Sequence, residues 1–196
     1  MPEFYTGNRY LTQQEMETNA LYIYNYLYPR GWSLNAIAGM LGNMQSESGI
    51  NPGIWEGLAV NEGPGYGLVQ WTPYEKYTDW CLDNWMDPSH MDSALKRIEY
   101  ELENGLQYYP TDAYPETFKE FKTSTKSPTY LAMAFLANYE RPLDPNQPNR
   151  GSQAEAWYTF LTQQPVPDVP VTPGPVTKRR KGMPLALMYI ATRRKI

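Results

Sequence analysis

Asn43-Met44-Gln45-Ser46-Glu47-Ser48-Gly49-Ile50-Asn51-Pro52-Gly53 ends a helix and places one carboxylate, Glu47, on its last turn. Ser33 is a fitting N-cap, because its hydroxyl can accept from the free amides of the first turn. Leu34, Ile37, Leu41 and Met44 follow at spacings of three and four and describe one buried face. Glu47 falls on the edge of that apolar stripe. Gly49 suits the left-handed position that closes a helix, Ile50 supplies the apolar contact that follows it, and Asn51-Pro52-Gly53 forbids continuation. Apolar surroundings and the negative end of the helix dipole both favour the protonated acid. A carboxylic acid that keeps its proton near the working pH is what general acid catalysis needs. Taken alone, the same geometry also describes an ordinary solvated glutamate at a helix end.

The remaining chemistry narrows the choice. The 196 residues suffice for one domain with a real core. Cys81 is the single cysteine, which excludes a disulfide framework or a cysteine metal site. His90 is the single histidine, which argues against a histidine triad or a typical zinc site and suits a surface or capping role. No cofactor and no metal are expected, and catalysis falls to carboxylates. Seventeen Tyr and six Trp provide flat amphipathic rings that suit sugar faces, although most should fill the core.

The pattern predicts a mostly α, α+β fold: a helical body with a small β-hairpin after the Glu47 helix. Thr12-x-x-Glu15, Thr72-x-x-Glu75 and Ser152-x-x-Glu155 read as capping boxes, with a weaker one at Ser89-x-x-Asp92. Helices are marked by Met16 to Leu27, Tyr77 to Trp85, Met91 to Leu106, a short piece at Phe118 and Phe121, Leu131 to Tyr139, and Trp157 to Leu161. The Gly-rich stretch from Ile54 to Thr72 breaks the helical period; Gly63-Pro64-Gly65 reads as a turn and Leu68 to Trp71 as a strand.

Two more segments join the Glu47 motif: Gly65-Tyr66-Gly67-Leu68-Val69-Gln70-Trp71-Thr72-Pro73 and Asn138-Tyr139-Glu140-Arg141-Pro142. In this order, from about Tyr10 to Leu161, the chain resembles the lysozyme-like domain of phage tail proteins, in particular the tail-knob wall-degrading proteins of small podoviruses of Gram-positive hosts. The Glu47-Ser48 pair also resembles goose-type lysozymes and transglycosylases, with Val69 where that wider group has Met in Gly-Leu-Met-Gln. The resemblance implies a virion-borne muramidase-type enzyme that cuts peptidoglycan as the phage genome enters the host, with Glu47 as general acid. Ser48, Gln70, Trp71 and Tyr139 are then expected to bind the glycan. A non-catalytic wall-binding tail module, a lytic transglycosylase and a free endolysin are the alternatives. The second carboxylate is expected at Glu62, with Glu56 as the other loop candidate and Glu140 in a structural role. No signal peptide and no membrane-spanning apolar run is visible. In proteins of the kind it resembles a peptidase domain follows this one; with no His-rich metal motif in these 196 residues, peptide-cleaving activity is not expected of them.

Domain boundaries are expected at 1–164 for the lysozyme-like domain, 165–177 for a Pro-rich, extended linker, and 178–196 for a basic and apolar tail. Seven of the 17 Lys and Arg lie in residues 178–196, which hold no acid. That leaves ten basic and 21 acidic residues in 1–177, a net −11. An acidic body is a poor nucleic-acid binder. The tail is expected to dock onto other tail proteins, with contact to a membrane surface as another use.

Overall fold

A computed structural model describes residues 3–60 and 62–168. The expected tail at 178–196 and most of the linker at 165–177 lie outside the described residues. Seven α-helices account for most of the body: α1 Gln13–Leu27, α2 Leu34–Ser48, α3 Glu75–Asp83, α4 Met91–Asn104, α5 Phe118–Thr123, α6 Pro128–Phe135 and α7 Asn149–Thr162. A π-helical turn, Leu136–Glu140, extends α6.

α2 is the central element. Ser33 accepts from the Ala36 amide at its start, and Gly49 (φ 62°) closes it in the left-handed region, where glycine escapes the Cβ penalty. Of the predicted stripe, Ile37, Leu41 and Met44 are fully buried and Leu34 is partly buried, and Ala36, Ala38 and Met40 are buried with them. The helix is therefore enclosed on more than one side: it packs on α7 and α6, and also on α1 and α5. Gly42 allows the close approach to α7. A Cβ there would lie 2.4 Å from the Arg150 carbonyl oxygen and 2.9 Å from the Ala154 nitrogen.

The polar residues of the opening stretch hold distant segments together. The Asn43 amide donates to Gly39 O (3.0 Å) and to Ala132 O (2.9 Å), joining α2 to α6. The Ser48 hydroxyl donates to Met44 O (3.0 Å) and to Leu68 O (2.8 Å). The Asn51 amide donates to Gly7 O (2.8 Å) and Arg9 O (2.7 Å), fastening the N-terminal segment beside the end of α2. All three side chains are nearly sealed from water. A buried polar group left unpaired costs about 1–3 kcal/mol, so these bonds fix the packing strongly.

The region after α2 departs from the expected hairpin. Among the described residues it contains no regular strand, only single antiparallel bridges between Trp55 and Tyr66 and between Tyr66 and Trp71. Leu68 to Gln70 lie in a turn rather than a strand. The cause is local: Gly67 (φ 80°) and Gln70 (φ 49°) both take left-handed backbone, which extended structure does not allow. The turn is closed by Gln70 N donating to Gly67 O (3.1 Å), and Tyr66 and Trp71 exchange both backbone bonds across it.

Caps also differ from the pattern. The Thr12–Glu15 box is formed, but Thr72 donates to Gln70 O, and α3 begins at Glu75 without a side-chain cap. Ser152 lies inside α7, while Glu155 accepts from the Thr129 amide (3.1 Å) and hydroxyl (2.7 Å) on α6. α4 is capped by His90 accepting from the Asp92 amide, and not by Ser89. A further box, Thr117 with Glu120, opens α5.

Candidate active site

The end of α2, the Ile54–Thr72 region and the π-helical turn enclose a cleft of about 530 Å³. Glu47 and Ser46 line it from α2. Trp55, Glu56, Gln70 and Trp71 form the facing wall, and Tyr139, Glu140 and Arg141 come from the π turn. A π turn widens the helix by one residue and is a frequent device at functional sites; here it brings Tyr139 and Glu140 into the same wall. Tyr10 and Gln107 complete the rim.

Glu47 is partly exposed, and its Oε1 lies 2.5 Å from Arg150 Nη2. The sequence reading placed only apolar groups around Glu47; the structure adds a guanidinium in contact with it. Arg150 is itself buried on the first turn of α7 and also donates to Asn43 Oδ1 (3.1 Å) and Gln147 Oε1 (2.7 Å). Its orientation is thus set by two neutral acceptors, and Glu47 receives the remaining edge of the fork.

Trp71 and Tyr139 line the cleft but are almost fully buried. Trp71 stacks on Tyr77 (ring centroids 4.1 Å apart), and Tyr139 stacks on Phe135 (4.4 Å). Both donate to one carboxylate: Trp71 Nε1 to Glu101 Oε1 (3.1 Å) and the Tyr139 hydroxyl to Glu101 Oε2 (2.5 Å). Arg97 Nε adds a third bond to Glu101 Oε1 (2.8 Å). Burial pushes the Glu101 carboxyl above the ordinary range, against the pull of these three donors. Glu101 on α4 carries no sequence signal for this task beyond a charge at a core-facing position.

Glu140 is a different kind of acid. It lines the cleft and is half-buried, and its Oε1 is sealed from solvent with no hydrogen-bond partner among the described residues. Burial first, and the neighbouring Glu47 charge second, hold its carboxyl well above the ordinary range; Arg150 and Arg141 oppose this, and Glu101 adds to it.

Gln70 lines the cleft with its side-chain nitrogen donating to Ile54 O (3.2 Å) and Gly67 O (2.9 Å), which leaves Oε1 without a partner. Ser48 points into the protein, to Leu68 O, and does not appear on the cleft wall. Glu62 is exposed and outside the wall; it contacts Tyr74, whose phenol it helps push up to about 12. Glu56 is the loop carboxylate on the wall. The half-buried Trp55 and the exposed Tyr10 offer open aromatic faces there, which sequence spacing did not single out. Among the described residues no group of three or more His, Cys, Asp and Glu side chains forms a metal site, and no helix is long and apolar enough to cross a membrane.

Comparison with known proteins agrees with this architecture. The family model for phage tail lysozyme matches residues 18–161. The chain is 58% identical over 160 residues to morphogenesis protein 1 of Bacillus phage B103; the match covers 81% of this chain and 43% of that protein. The chain thus spans less than half the length of that relative. The chain belongs to the phage tail lysozyme family.

Proposed function

We propose that the chain is a virion-associated, muramidase-type hydrolase that opens peptidoglycan locally as the phage genome enters the host. The carrying observation is Glu47, at the end of α2, on the wall of a cleft with Trp55, Gln70, Trp71 and Tyr139 opposite. Glu47 protonates the leaving glycosidic oxygen, and the oxocarbenium-like centre is met by water, or by the substrate's own hydroxyl in a transglycosylase. For hydrolysis a second carboxylate belongs opposite the acid. Glu62 and Glu56 are the candidates, and the position of Glu56 on the wall favours it. Gln70 holds the glycan together with the more accessible Trp55 and Tyr10, while the buried Trp71 and Tyr139 shape the wall and Ser48 supports it from behind through Leu68.

In this reading residues 1–164 are the catalytic unit, 165–177 a spacer, and 178–196 the segment that docks onto other tail proteins or touches the membrane surface. A second reading, a structural tail module that binds wall glycan without cutting it, draws on the relative's name as a morphogenesis protein. Glu47→Gln separates the two. On purified wall, turbidity clearance should fall by about 10²–10⁴-fold, the usual contribution of general acid catalysis, with the fold retained. Equal clearance by the variant would refute the enzymatic reading. Mass spectrometry of the new glycan ends then distinguishes reducing-end N-acetylmuramic acid, reducing-end N-acetylglucosamine and 1,6-anhydro products.

A further inference from the structure

Glu140 is used by none of the steps above, yet it sits on the wall of the same cleft as Glu47. Its Oε1 is sealed away without a partner. The residue as a whole is only half-buried, so the edge left to the cleft is Oε2. The charged groups around it are Glu47 from α2, Arg150 from α7, Glu101 from α4 and its neighbour Arg141. Arg150 is already committed to Glu47, Asn43 and Gln147. Arg141 Nη1 donates to Gln107 O and to Asn138 O. Glu101 is occupied by Trp71, Tyr139 and Arg97. Among the described residues none of these cations forms an ion pair with Glu140, and Lys76 on the same wall donates instead to Thr72 O. An uncompensated buried carboxylate is expensive, and such a group keeps its proton instead.

We propose that Glu140 is a neutral carboxylic acid whose hydroxyl donates a hydrogen bond to an acceptor oxygen of the bound glycan, such as an acetamido carbonyl. It is a substrate-binding donor that works only while protonated. Glu47 and Glu140 share one cleft, so whenever one of the two is charged the other keeps its proton more firmly. Binding should therefore weaken as pH rises through the ionisation of Glu140, when the donor becomes an acceptor facing another acceptor. The proposal rests on the glycan-cleft reading of the previous section.

The test uses the full chain and a thio-linked tetrasaccharide of N-acetylglucosamine, which the enzyme cannot cut, titrated calorimetrically across pH. Glu140→Met, close in shape but without a donor, should bind about tenfold more weakly, the loss of one good hydrogen bond. Glu140→Gln keeps a neutral donor; it should bind within about threefold of the parent and lose the weakening at high pH. Infrared difference spectra of the parent against Glu140→Gln at neutral pH should show the carbonyl band of a protonated carboxyl disappearing. Thermal unfolding of both variants confirms that they are folded. The proposal is overturned if Glu140→Met binds as tightly as the parent, if Glu140→Gln binds as poorly as Glu140→Met, or if the infrared band is absent. A parent that binds the tetrasaccharide but never cuts wall removes the hydrolase reading and leaves this one supported; a parent that does not bind it overturns both.

Discussion

Arg150 contacts Glu47 across the α2–α7 packing, Nη2 to Oε1 at 2.5 Å. The pair joins two helices and orients the carboxyl proposed to act on the glycan. Glu47 is partly exposed, so water compensates it in part when Arg150 is removed, and the loss of the donors to Asn43 and Gln147 brings the cost to about 2 kcal/mol. Arg150→Met should lower chemical-denaturation stability by about that much. The double variant with Glu47→Gln should cost less than the two single changes added together. Strict additivity would show that the contact contributes nothing to folding.

Glu101 anchors both aromatic walls of the cleft. Its two oxygens accept from Trp71, Tyr139 and Arg97, and it is 1% exposed. Glu101→Gln presents an amide N–H where one of these donors now points. The expected loss is about 2 kcal/mol of stability, together with a changed Trp71 emission and a raised KM on soluble wall fragments. If stability and emission both match the parent, Glu101 does not position these rings.

Gly42 sets the distance between α2 and α7. An added Cβ meets main-chain atoms of α7, the Arg150 oxygen and the Ala154 nitrogen, and backbone cannot swing aside as a flexible side chain can. Gly42→Ala should therefore cost about 1–3 kcal/mol through overpacking, even though alanine is the better helix former. Because the clash falls on Arg150, wall clearance should drop as well. A variant more stable than the parent would mean that α7 is free to shift.

Much of the helical body was legible because burial enforces a period. Ser33, the Ile37–Leu41–Met44 stripe and Gly49 bound α2 within a residue, and Thr12–Glu15 opened α1 as its spacing suggested. The Glu47, Gln70 and Tyr139 segments meet in one cleft, as the family resemblance implied. Arg150 was not legible: it lies 103 residues from Glu47, and no local pattern announces a partner at that distance. The expected strand at Leu68 to Trp71 is instead a turn over Leu68 to Gln70, because a break in the helical period says nothing of the left-handed backbone at Gly67 and Gln70. The Ser152–Glu155 spacing matched a capping box, but a tertiary partner, Thr129, takes the Glu155 carboxylate.

Two carboxyls should give the stability curve opposite slopes. Glu140 is held well above the ordinary range by burial and by Glu47. An unfolded glutamate ionises near ~4.3. Above that pH the unfolded chain has released the proton while the folded one still holds it, so stability falls as pH rises until Glu140 itself ionises. Glu140→Gln removes the effect and should gain on the parent as pH rises above ~4.3. Glu15 works the other way. Arg9, with the Thr12 amide, holds its carboxyl down to about 2, so its contribution is complete above ~4.3 and lost as pH falls toward its folded value. Glu15→Gln should therefore lose to the parent at pH 6 and draw level near pH 2. Denaturation midpoints taken every half pH unit for the three proteins check both signs. A Glu140→Gln curve that stays parallel to the parent as pH rises above ~4.3 would mean that Glu140 ionises in the folded protein as it does in the unfolded chain.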